Sequence, residues 1–387
     1  MERKVKLGII GIGNMGRGHF CNWLDGSMPE IEVTCVADLD KRRTAWAKEK
    51  CPEIKCFSSG DELIESGECE AIIIATPHYQ HPPLAIKALN AGLHVMSEKP
   101  AGVYTKQVRE LIAVADKSDK TYAIMFNQRT NCVYRKVKEL VSSGSYGEIK
   151  RVNWIITDWF RTQSYYNSGG WRATWAGEGG GVMLNQCPHQ LDLWQWICGM
   201  PVKVQAHCHE GKWHDIEVED DVTIYVEYAN GATGSFITTT GDYPGTNRLE
   251  ITLEKAKIVV ENGSVIKMFL LDEPVAHSIA TLIDGAGDPT GQWIDVETDG
   301  KNEQHCGVMN AFAAHILRGE PLIAEGREGI NGLSISNAAF LSSWLDKAVD
   351  IPFDEELFYS LLQEKIKSST YKKTVVELIN DDIVKTK

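Results

Sequence analysis

The sequence lacks the features that mark several protein classes. No uninterrupted apolar stretch approaches the roughly 20 residues of a membrane-spanning helix, and only a short apolar run precedes Gly11 and Gly13. We therefore expect neither a signal peptide nor a membrane span. The ten cysteines include no Cys-x-x-Cys pair, which predicts reduced thiols in a cytoplasmic protein rather than a disulfide-stapled scaffold.

Positive charge is also in short supply. The chain has 40 Lys and Arg against 53 Asp and Glu, for a net charge of −13. Such a protein repels phosphate backbones and acidic lipid surfaces, so we expect neither nucleic acid nor membrane as a partner. What is present is ordinary for a globular protein: 387 residues, 43% hydrophobic and 24% charged, enough for two domains.

The pattern of apolar residues changes near the first third of the chain. Up to residue 127, short Val- and Ile-rich runs alternate with helical patterns, which predicts a doubly wound parallel sheet of the Rossmann type over residues 1–127. The predicted strands are 5–10, 31–37, 71–76, 94–97 and 122–126. From about residue 150, strand-like alternation continues without a helix after each strand, and turn signals such as Asn230-Gly231 lie between strands. Residues 128–387 are therefore predicted to form an α+β domain with a large, mostly antiparallel open sheet.

A glycine-rich turn follows the first predicted strand. Gly11, Gly13 and Gly16 match Gly-x-Gly-x-x-Gly, with Asn14 and Met15 between the last two glycines. The pattern lies between a strand and a helix, as a dinucleotide pyrophosphate site requires. Asp38 ends the second strand 22 positions after Gly16, where an acidic residue binds the adenosine ribose hydroxyls.

The same aspartate predicts the choice of cofactor. Its charge repels a 2′-phosphate, so the sequence favours NAD over NADP. Residues 41–43 are Lys-Arg-Arg and offer an alternative site for that phosphate. We interpret them as a solvated first turn of helix.

Glu98-Lys99-Pro100 follows the predicted strand 94–97, at the carboxyl edge of the sheet where ligands of such folds bind. A lysine at that position can hold or relay the proton of a substrate hydroxyl if its pKa is tuned. A surface lysine before a proline is the alternative.

Several further segments carry a family resemblance. The run from Gly179 to Asp192, Gly-Gly-Gly-Val-Met-Leu-Asn-Gln-Cys-Pro-His-Gln-Leu-Asp, together with Glu98-Lys99-Pro100, resembles the Gfo/Idh/MocA family, named for glucose–fructose oxidoreductase and inositol dehydrogenase. Residues 75–81, 126–129, 143–149, 170–172 and 312–321 extend the resemblance over nearly the whole chain. It implies an NAD-dependent dehydrogenase that acts on sugars or cyclitols and forms a homodimer or homotetramer.

The resemblance also implies roles for individual residues. Lys99 and His189 correspond to the family's proton-transfer pair, and Asn185 stands where the family has an assisting aspartate. This replacement is a departure, because an amide can orient a hydroxyl but cannot carry a proton. The expected cofactor-binding residues are Gly11, Gly13, Asn14, Met15, Gly16, Asp38, Thr76, Pro77, His81, Glu98, Lys99, Asn127 and Arg172. The expected substrate-binding residues are Lys99, Trp171, Arg172, Asn185, His189 and Asp192.

Three further patterns have competing interpretations. Asp192 lies three residues after His189 and shares a helix face with it, so it either binds substrate or satisfies backbone donors at the helix start. Residues 154–175 contain seven aromatic side chains against 9% in the whole chain, which suits a ring-shaped ligand but is also typical of a core or an oligomer contact. Cys187 and the histidines at 207, 209 and 214 lack the spacing of a nucleophilic pair or a zinc site, so no metal is expected.

The sequence thus predicts an NAD-dependent dehydrogenase that oxidises a secondary hydroxyl of a sugar, glycoside or cyclitol. The Asn-Gln-Cys-Pro-His form of the motif resembles a bacterial subgroup that includes enzymes oxidising the C3 hydroxyl of glycosides. Two alternatives stay open: a glycosidase that retains NAD and works by oxidation and elimination, and a regulator that binds NAD and sugar without turnover.

Overall fold

Six parallel strands form the first sheet of the protein, whose computed structural model describes residues 3–370. Their order across the sheet is β3-β2-β1-β4-β5-β6. Val and Ile dominate the central strands because helices cover both faces and no polar side is needed. The strands are β1 Val5–Ile10, β2 Ile31–Ala37, β3 Lys55–Phe57, β4 Ala71–Ile74, β5 His94–Ser97 and β6 Tyr122–Ile124.

Helices cross between these strands. They are α1 Asn14–Leu24, α2 Lys41–Lys50, α3 Gly60–Glu65, α4 His81–Asn90 and α5 Thr105–Ala115. The side chain of Asp40 caps α2 by accepting the amide of Arg42, and Ser59 caps α3 by accepting the amide of Glu62. The predicted Rossmann architecture is therefore confirmed, with the short strand β3 as an addition that the sequence pattern did not indicate.

A nine-stranded sheet forms the second part, in the order β14-β13-β12-β11-β7-β10-β9-β8-β15. Among the described strands of this second sheet, only β7 and β10 pair in parallel, so the predicted mostly antiparallel sheet is also confirmed. Its strands are β7 Ile149–Ile156, β8 Lys203–Glu210, β9 Glu219–Glu227, β10 Thr233–Thr239, β11 Asn247–Leu253, β12 Ala256–Glu261, β13 Val265–Leu271, β14 Gly291–Asp295 and β15 Val349–Asp350.

One face of this sheet is buried and the other is open. Along β7, Val152, Trp154 and Ile156 are buried, while Arg151 and Ile155 are exposed, which is the period of two expected for a sheet covered on one side. The covering helices are α6 Cys132–Ser142, α8 Pro188–Cys198 and α11 Gly329–Leu345. The remaining helices of this part are α7 Gln163–Asn167, α9 Val275–Thr281, α10 Gln304–Arg318 and α12 Glu355–Ser368.

Helix α10 returns to the first sheet. Its buried side chains Val308, Met309, Phe312 and Ala313 belong to the same hydrophobic cluster as Leu7 of β1. The domain boundary that the sequence predicts between residues 127 and 128 stays a prediction. Helix α10 follows this boundary in sequence but packs against the first sheet. Within residues 3–370, no helix is long and apolar enough to cross a membrane.

Candidate active site

The glycine-rich turn between β1 and α1 depends on the absence of side chains. Gly11 has φ +94°, and a Cβ there would lie 2.6 Å from the carbonyl oxygen of Ala75. At Gly16 a Cβ would lie 1.8 Å from the oxygen of Gly11, so only glycine allows the helix to pack this close to the turn. At Gly13 the nearest described atom to a Cβ is Nη1 of Arg43 at 3.7 Å, so this glycine leaves open space beside the helix start.

Asp38 lies beside this turn, at the end of β2. Its Oδ2 accepts the amide of Ile12 at 2.8 Å, and its Oδ1 accepts the amide of Asp40 at 2.8 Å. Nη1 of Arg43 donates to the same carboxylate at 3.4 Å. Residues 41–43 are the exposed first turn of α2, as predicted, and Arg43 in addition forms an ion pair at the mouth of the glycine turn.

A cleft of about 410 Å³ opens from this turn toward the second part of the chain. It runs past the carboxyl ends of the parallel strands, where the topology places ligand sites. It is lined by Ile12, Gly13, Asn14, Met15, Arg17, Asp40, Arg42, Arg43, Ala75, Thr76, Pro77, His78, His81, Glu98, Lys99, Ser168, Trp171, Arg172 and Asn185.

Several features of this cleft fit an NAD dinucleotide. The first turn of α1 places backbone N–H groups and the positive end of the helix dipole at the open space beside Gly13, where a pyrophosphate is stabilised. The buried Oγ1 of Thr76 and Oδ1 of Asn127 have no hydrogen-bond partner within the described chain. Buried polar atoms normally have partners, so both are available to a bound ligand.

Two predicted cofactor residues have structural duties as well. The ring of His81 lies between backbone carbonyls, with Nδ1 2.8 Å from the oxygen of Pro100 and Nε2 2.7 Å from that of Thr76. Asn127 donates through Nδ2 to the side chain of Gln304. His81 thus connects two loops beside the cleft, and Asn127 connects the 3₁₀ turn after β6 to the start of α10.

Lys99 spans the two parts of the chain. Its Nζ donates to the backbone oxygen of Asn185 at 2.8 Å. Burial lowers the pKa of Lys99, and the nearby carboxylate of Glu98 opposes that shift. Glu98 is itself buried against His19, with Oε1 2.8 Å from Nε2, and although burial opposes it, this contact lowers the pKa of Glu98 to about 2.

His189 lies on the first turn of α8, four residues after Asn185. Its ring meets that of Phe126 edge to face, with the centroids 6.4 Å apart. Burial lowers the pKa of His189 well below its usual value, and the positive charge of Lys99 adds to the effect. The imidazole is therefore neutral near pH 7 and able to accept a proton.

Asn185 connects to a carboxylate and a phenol. Its Nδ2 donates to Oε1 of buried Glu178, and its Oδ1 lies 3.5 Å from the hydroxyl of Tyr165. Arg172 donates to that hydroxyl at 3.1 Å and packs its guanidinium over the rings of Tyr165 and Trp171, at 4.8 and 4.5 Å. The predicted residues Lys99, Trp171, Arg172 and Asn185 thus meet at one end of the cleft.

Asp192 does not join them, and its predicted contact with substrate is corrected. It is 1% exposed and accepts two hydrogen bonds from Arg129, at 2.8 Å from Nε and 2.7 Å from Nη2. Nε2 of Gln195 donates to it as well. The carboxylate has no surface left for a sugar hydroxyl, and it does not cap the helix start either.

The other sequence candidates lie apart from the cleft. Cys187 is a buried thiol beside the hydroxyl of Thr238, and burial raises its pKa to about 12. His214 lies 2.9 Å from Oδ2 of Asp220 through Nδ1. Within residues 3–370, no three His, Cys, Asp or Glu side chains form a group that could hold a metal ion.

Three residues near the site escaped the sequence analysis: His19, Glu178 and His305. An electrostatic interaction with His305 also lowers the pKa of His189. Tyr165 belongs to the aromatic stretch 154–175 that the sequence had offered as a ligand pocket. Of the three, only Glu178 had a signal in the sequence: it directly precedes the triple glycine with which the family motif begins. His19 and His305 come together only because α1 and α10 lie side by side, with ring centroids 5.7 Å apart.

Comparison with known protein families supports this description. Residues 5–126 match the model of an oxidoreductase family with an NAD-binding Rossmann fold, GFO/IDH/MocA, and residues 134–259 match its C-terminal domain. The first domain is accordingly an NAD-binding domain.

Individual relatives have low sequence identity to this chain but match most of its length. A myo-inositol 2-dehydrogenase of Thermotoga maritima is 23% identical over 343 residues, covering 87% of this chain and 95% of that protein. An inositol 2-dehydrogenase of Corynebacterium glutamicum is 23% identical over 240 residues, covering 60% of this chain and 66% of that protein. The crystal structure of the WlbA dehydrogenase from Bordetella pertussis, in complex with NADH and UDP-GlcNAcA, matches with a TM-score of 0.77 at 25% identity, over 92% of this chain and 99% of that one.

Proposed function

The chain belongs to the GFO/IDH/MocA oxidoreductase family, and from this premise we propose that it is an NAD-dependent dehydrogenase that oxidises a secondary hydroxyl of a sugar, glycoside or cyclitol. The narrower proposal is the C3 hydroxyl of a glycoside. One observation carries the assignment: Lys99 lines the dinucleotide-binding cleft, anchored to the backbone oxygen of Asn185, and its charge acts on the buried imidazole of His189.

The cofactor residues follow from the turn and the cleft. The first turn of α1 holds the pyrophosphate, Asp38 holds the adenosine ribose, and the unpartnered Thr76 hydroxyl lines the same cleft. When bound, NAD supplies the hydride acceptor for the reaction.

His189 and Lys99 manage the proton of the substrate hydroxyl. The neutral imidazole accepts that proton, because burial and the charge of Lys99 keep it unprotonated near pH 7. The Lys99 ammonium, anchored by the oxygen of Asn185, stabilises the negative charge that develops on the substrate oxygen. Anchoring matters because a donor that is already in place needs no reorganisation during the reaction.

The mixed lining of the cleft suits a polyhydroxylated ring. Trp171 offers a flat apolar face for the C–H side of such a ring, and Arg172 and Asn185 offer a donor and an acceptor for its hydroxyls. Arg172 is held between two aromatic rings, so its position is fixed before substrate arrives.

The test is NADH formation across a panel of monosaccharides, inositols and glycosides, followed by absorbance at 340 nm. Turnover on at least one member, lost in His189→Ala, supports the proposal. Release of an aglycone without net NADH would identify a glycosidase instead, and binding without any chemistry would identify a regulator. The exposed His207→Ala variant is the matched control, because this side chain lies on β8 away from the cleft.

A further inference from the structure

Glu178 is a buried carboxylate at the edge of the proposed catalytic site. It directly precedes the triple glycine and is 1% exposed. Its Oε2 accepts the amide of Ala173 at 2.6 Å, and its Oε1 accepts Nδ2 of Asn185. A carboxylate is costly to bury unless hydrogen bonds and opposite charges compensate it, so a carboxylate in this position calls for an explanation.

The contact with Glu178 determines which way the amide of Asn185 points. An ionised carboxylate only accepts hydrogen bonds, so the NH₂ end of the amide must face Glu178. The amide oxygen then faces the hydroxyl of Tyr165, 3.5 Å away, and Asn185 itself lines the cleft. An asparagine without such a partner would be free to present either end to a ligand.

The charge of Glu178 reaches the cationic groups of the site. Nη1 of Arg172 lies 3.9 Å from Oε1 of Glu178. Burial lowers the pKa of Lys99, and the negative charge of Glu178 is one of the influences that oppose this shift. The carboxylate of Glu178 interacts electrostatically with four titratable groups, Arg172, Lys99, Tyr166 and Glu219. Its backbone oxygen contacts Nδ1 of His78.

We propose that Glu178 is a positioning residue of this site: it fixes the amide of Asn185 with its oxygen toward Tyr165, and it places one negative charge behind Asn185, whose backbone oxygen anchors Lys99. This inference rests on the proposed function for its effect on turnover. It gives Asn185 a defined task, which is to accept a hydrogen bond from a substrate hydroxyl. It also means that the site has one carboxylate, as in the family, but at residue 178 instead of 185, in contact with the amide of Asn185.

The proposal predicts that Asn185→Asp, although it restores the aspartate of the family motif, lowers activity. That substitution would place a second carboxylate in contact with Glu178, and two like charges at hydrogen-bond distance cannot both ionise without cost. The exchange of both groups, Glu178→Gln with Asn185→Asp, keeps one carboxylate and one amide in contact. If the pair acts as a unit, the double variant is more active than either single variant.

The experiment compares wild type, Glu178→Gln, Asn185→Asp and the double variant on the substrate that the panel identifies. We expect each single variant to lose roughly 10- to 100-fold in kcat/KM, as for loss of a hydrogen bond to a charged group. The double variant should recover at least tenfold over the weaker single variant. Losses that multiply in the double variant would overturn the proposal, because independent residues add in free energy.

A control separates this role from support of the loop. Glu217 bonds to the same loop through the amide of Trp175 at 3.3 Å, and no contact with Asn185 is recorded among the described residues. Glu217→Gln should leave kcat/KM within about threefold of wild type. An equal loss in Glu217→Gln and Glu178→Gln would assign both carboxylates to loop structure and contradict the proposal.

A second measurement needs no substrate. The pH dependence of acylation of Lys99 by acetic anhydride, read by mass spectrometry on the unliganded protein, gives the apparent pKa of its amine. Glu178→Gln should lower that pKa and the double variant should raise it again. An unchanged value in Glu178→Gln would contradict the proposal even if no substrate in the panel reacts, whereas absence of turnover by wild type would contradict only the proposed function.

Discussion

Arg129 and Asp192 form a bidentate ion pair that is buried on both sides, with N–O distances of 2.8 and 2.7 Å. Arg129 belongs to the 3₁₀ turn that follows β6, and Asp192 to the helix α8 that carries His189. Glu328 adds a third contact, 2.7 Å from Nη1 of Arg129. The pair therefore fixes the catalytic helix relative to the edge of the NAD-binding sheet.

This arrangement predicts that Asp192→Asn affects stability more than substrate binding. The substitution leaves the Arg129 guanidinium buried with one carboxylate fewer, which costs about 3–5 kcal/mol in comparable buried pairs. We expect a loss near the lower end, because Glu328 remains in contact. Urea unfolding measures the loss, and KM on the reactive substrate should stay within about threefold. A large rise in KM with unchanged stability would contradict this prediction and show that Asp192 contacts the substrate.

The fate of Asp192 shows where sequence reasoning stops. Helical periodicity correctly predicts that Asp192 and His189 lie on one helix, α8. It cannot reveal that Arg129, 63 residues earlier in the chain, forms hydrogen bonds with Asp192. Asn185 is a similar case, because its partner Glu178 is identified only by the path of the loop. Contacts between elements distant in sequence are set by packing, which a local pattern does not contain.

Local rules succeeded where the chemistry is local. The glycine turn, the strand before it and the position of Asp38 all follow from one strand–turn–helix unit, and each predicted strand among residues 5–126 overlaps an observed one. The alternating strands of the second sheet were also visible, because a sheet with one open face has a period of two. The sequence pattern did not indicate strands β13, β14 and β15 or helices α6, α7 and α9. In β14 and α9 the largely exposed residues leave no alternating burial pattern.

Cofactor preference depends on Asp38. Its carboxylate lies beside the glycine turn and pairs with Arg43, so Asp38→Ala removes the ribose acceptor and releases a cation at the same time. We expect wild type to bind NAD more tightly than NADP, and the variant to lose NAD affinity and narrow the preference. Fluorescence titration with NADH and NADPH measures both. Glu32→Gln, an exposed carboxylate on the same strand, is the control for charge. Tighter binding of NADPH by wild type would assign the adenosine site to residues 41–43 instead.

Glu219 should contribute stability that is lost as the pH rises from about 5 to 8, with a sign opposite to that of the buried histidines such as His189. Burial raises the pKa of Glu219 to about 8, although the amides of Gly181 and Met183 donate to it. Unfolded, the same group titrates near 4.3. Between these values the folded protein keeps a proton that the unfolded chain releases, so the contribution of Glu219 to the free energy of unfolding falls by up to about 1.4 kcal/mol per pH unit.

Urea unfolding at several pH values, for wild type and Glu219→Gln, tests this assignment. The glutamine cannot titrate, so the stability of wild type relative to this variant should fall between about pH 5 and 8. Glu32→Gln should keep the wild-type slope, because that carboxylate is exposed. Parallel curves for wild type and Glu219→Gln would show that another group is responsible.

The open face of the second sheet predicts self-association. Ile155 of β7 and Tyr225 of β9 are exposed on this face, which carries apolar side chains that a monomer would leave in water. We expect a homodimer or homotetramer. Light scattering should therefore give a multiple of 43.1 kDa, and the pair of substitutions Ile155→Lys and Tyr225→Lys should shift it toward the monomer. A wild-type mass of 43.1 kDa at micromolar concentration would reject the prediction.

The pH profile of the reaction is the most direct test of the proton path. Because burial and Lys99 hold the pKa of His189 well below its usual value, the active neutral imidazole persists to acidic pH. The acid limb of kcat/KM, which reports groups of the free enzyme, should therefore lie below about pH 6.5. His189→Ala should remove this limb and lower turnover by about 10²–10⁴-fold, and Lys99→Ala should also be severe because the developing alkoxide loses its cation. NADH affinity in His189→Ala should change little, because His189 is not among the residues that line the cleft beside the glycine turn. If the profile of His189→Ala kept the wild-type acid limb, a different group would be the base, and His305, whose ring lies beside the same site, would be the next candidate.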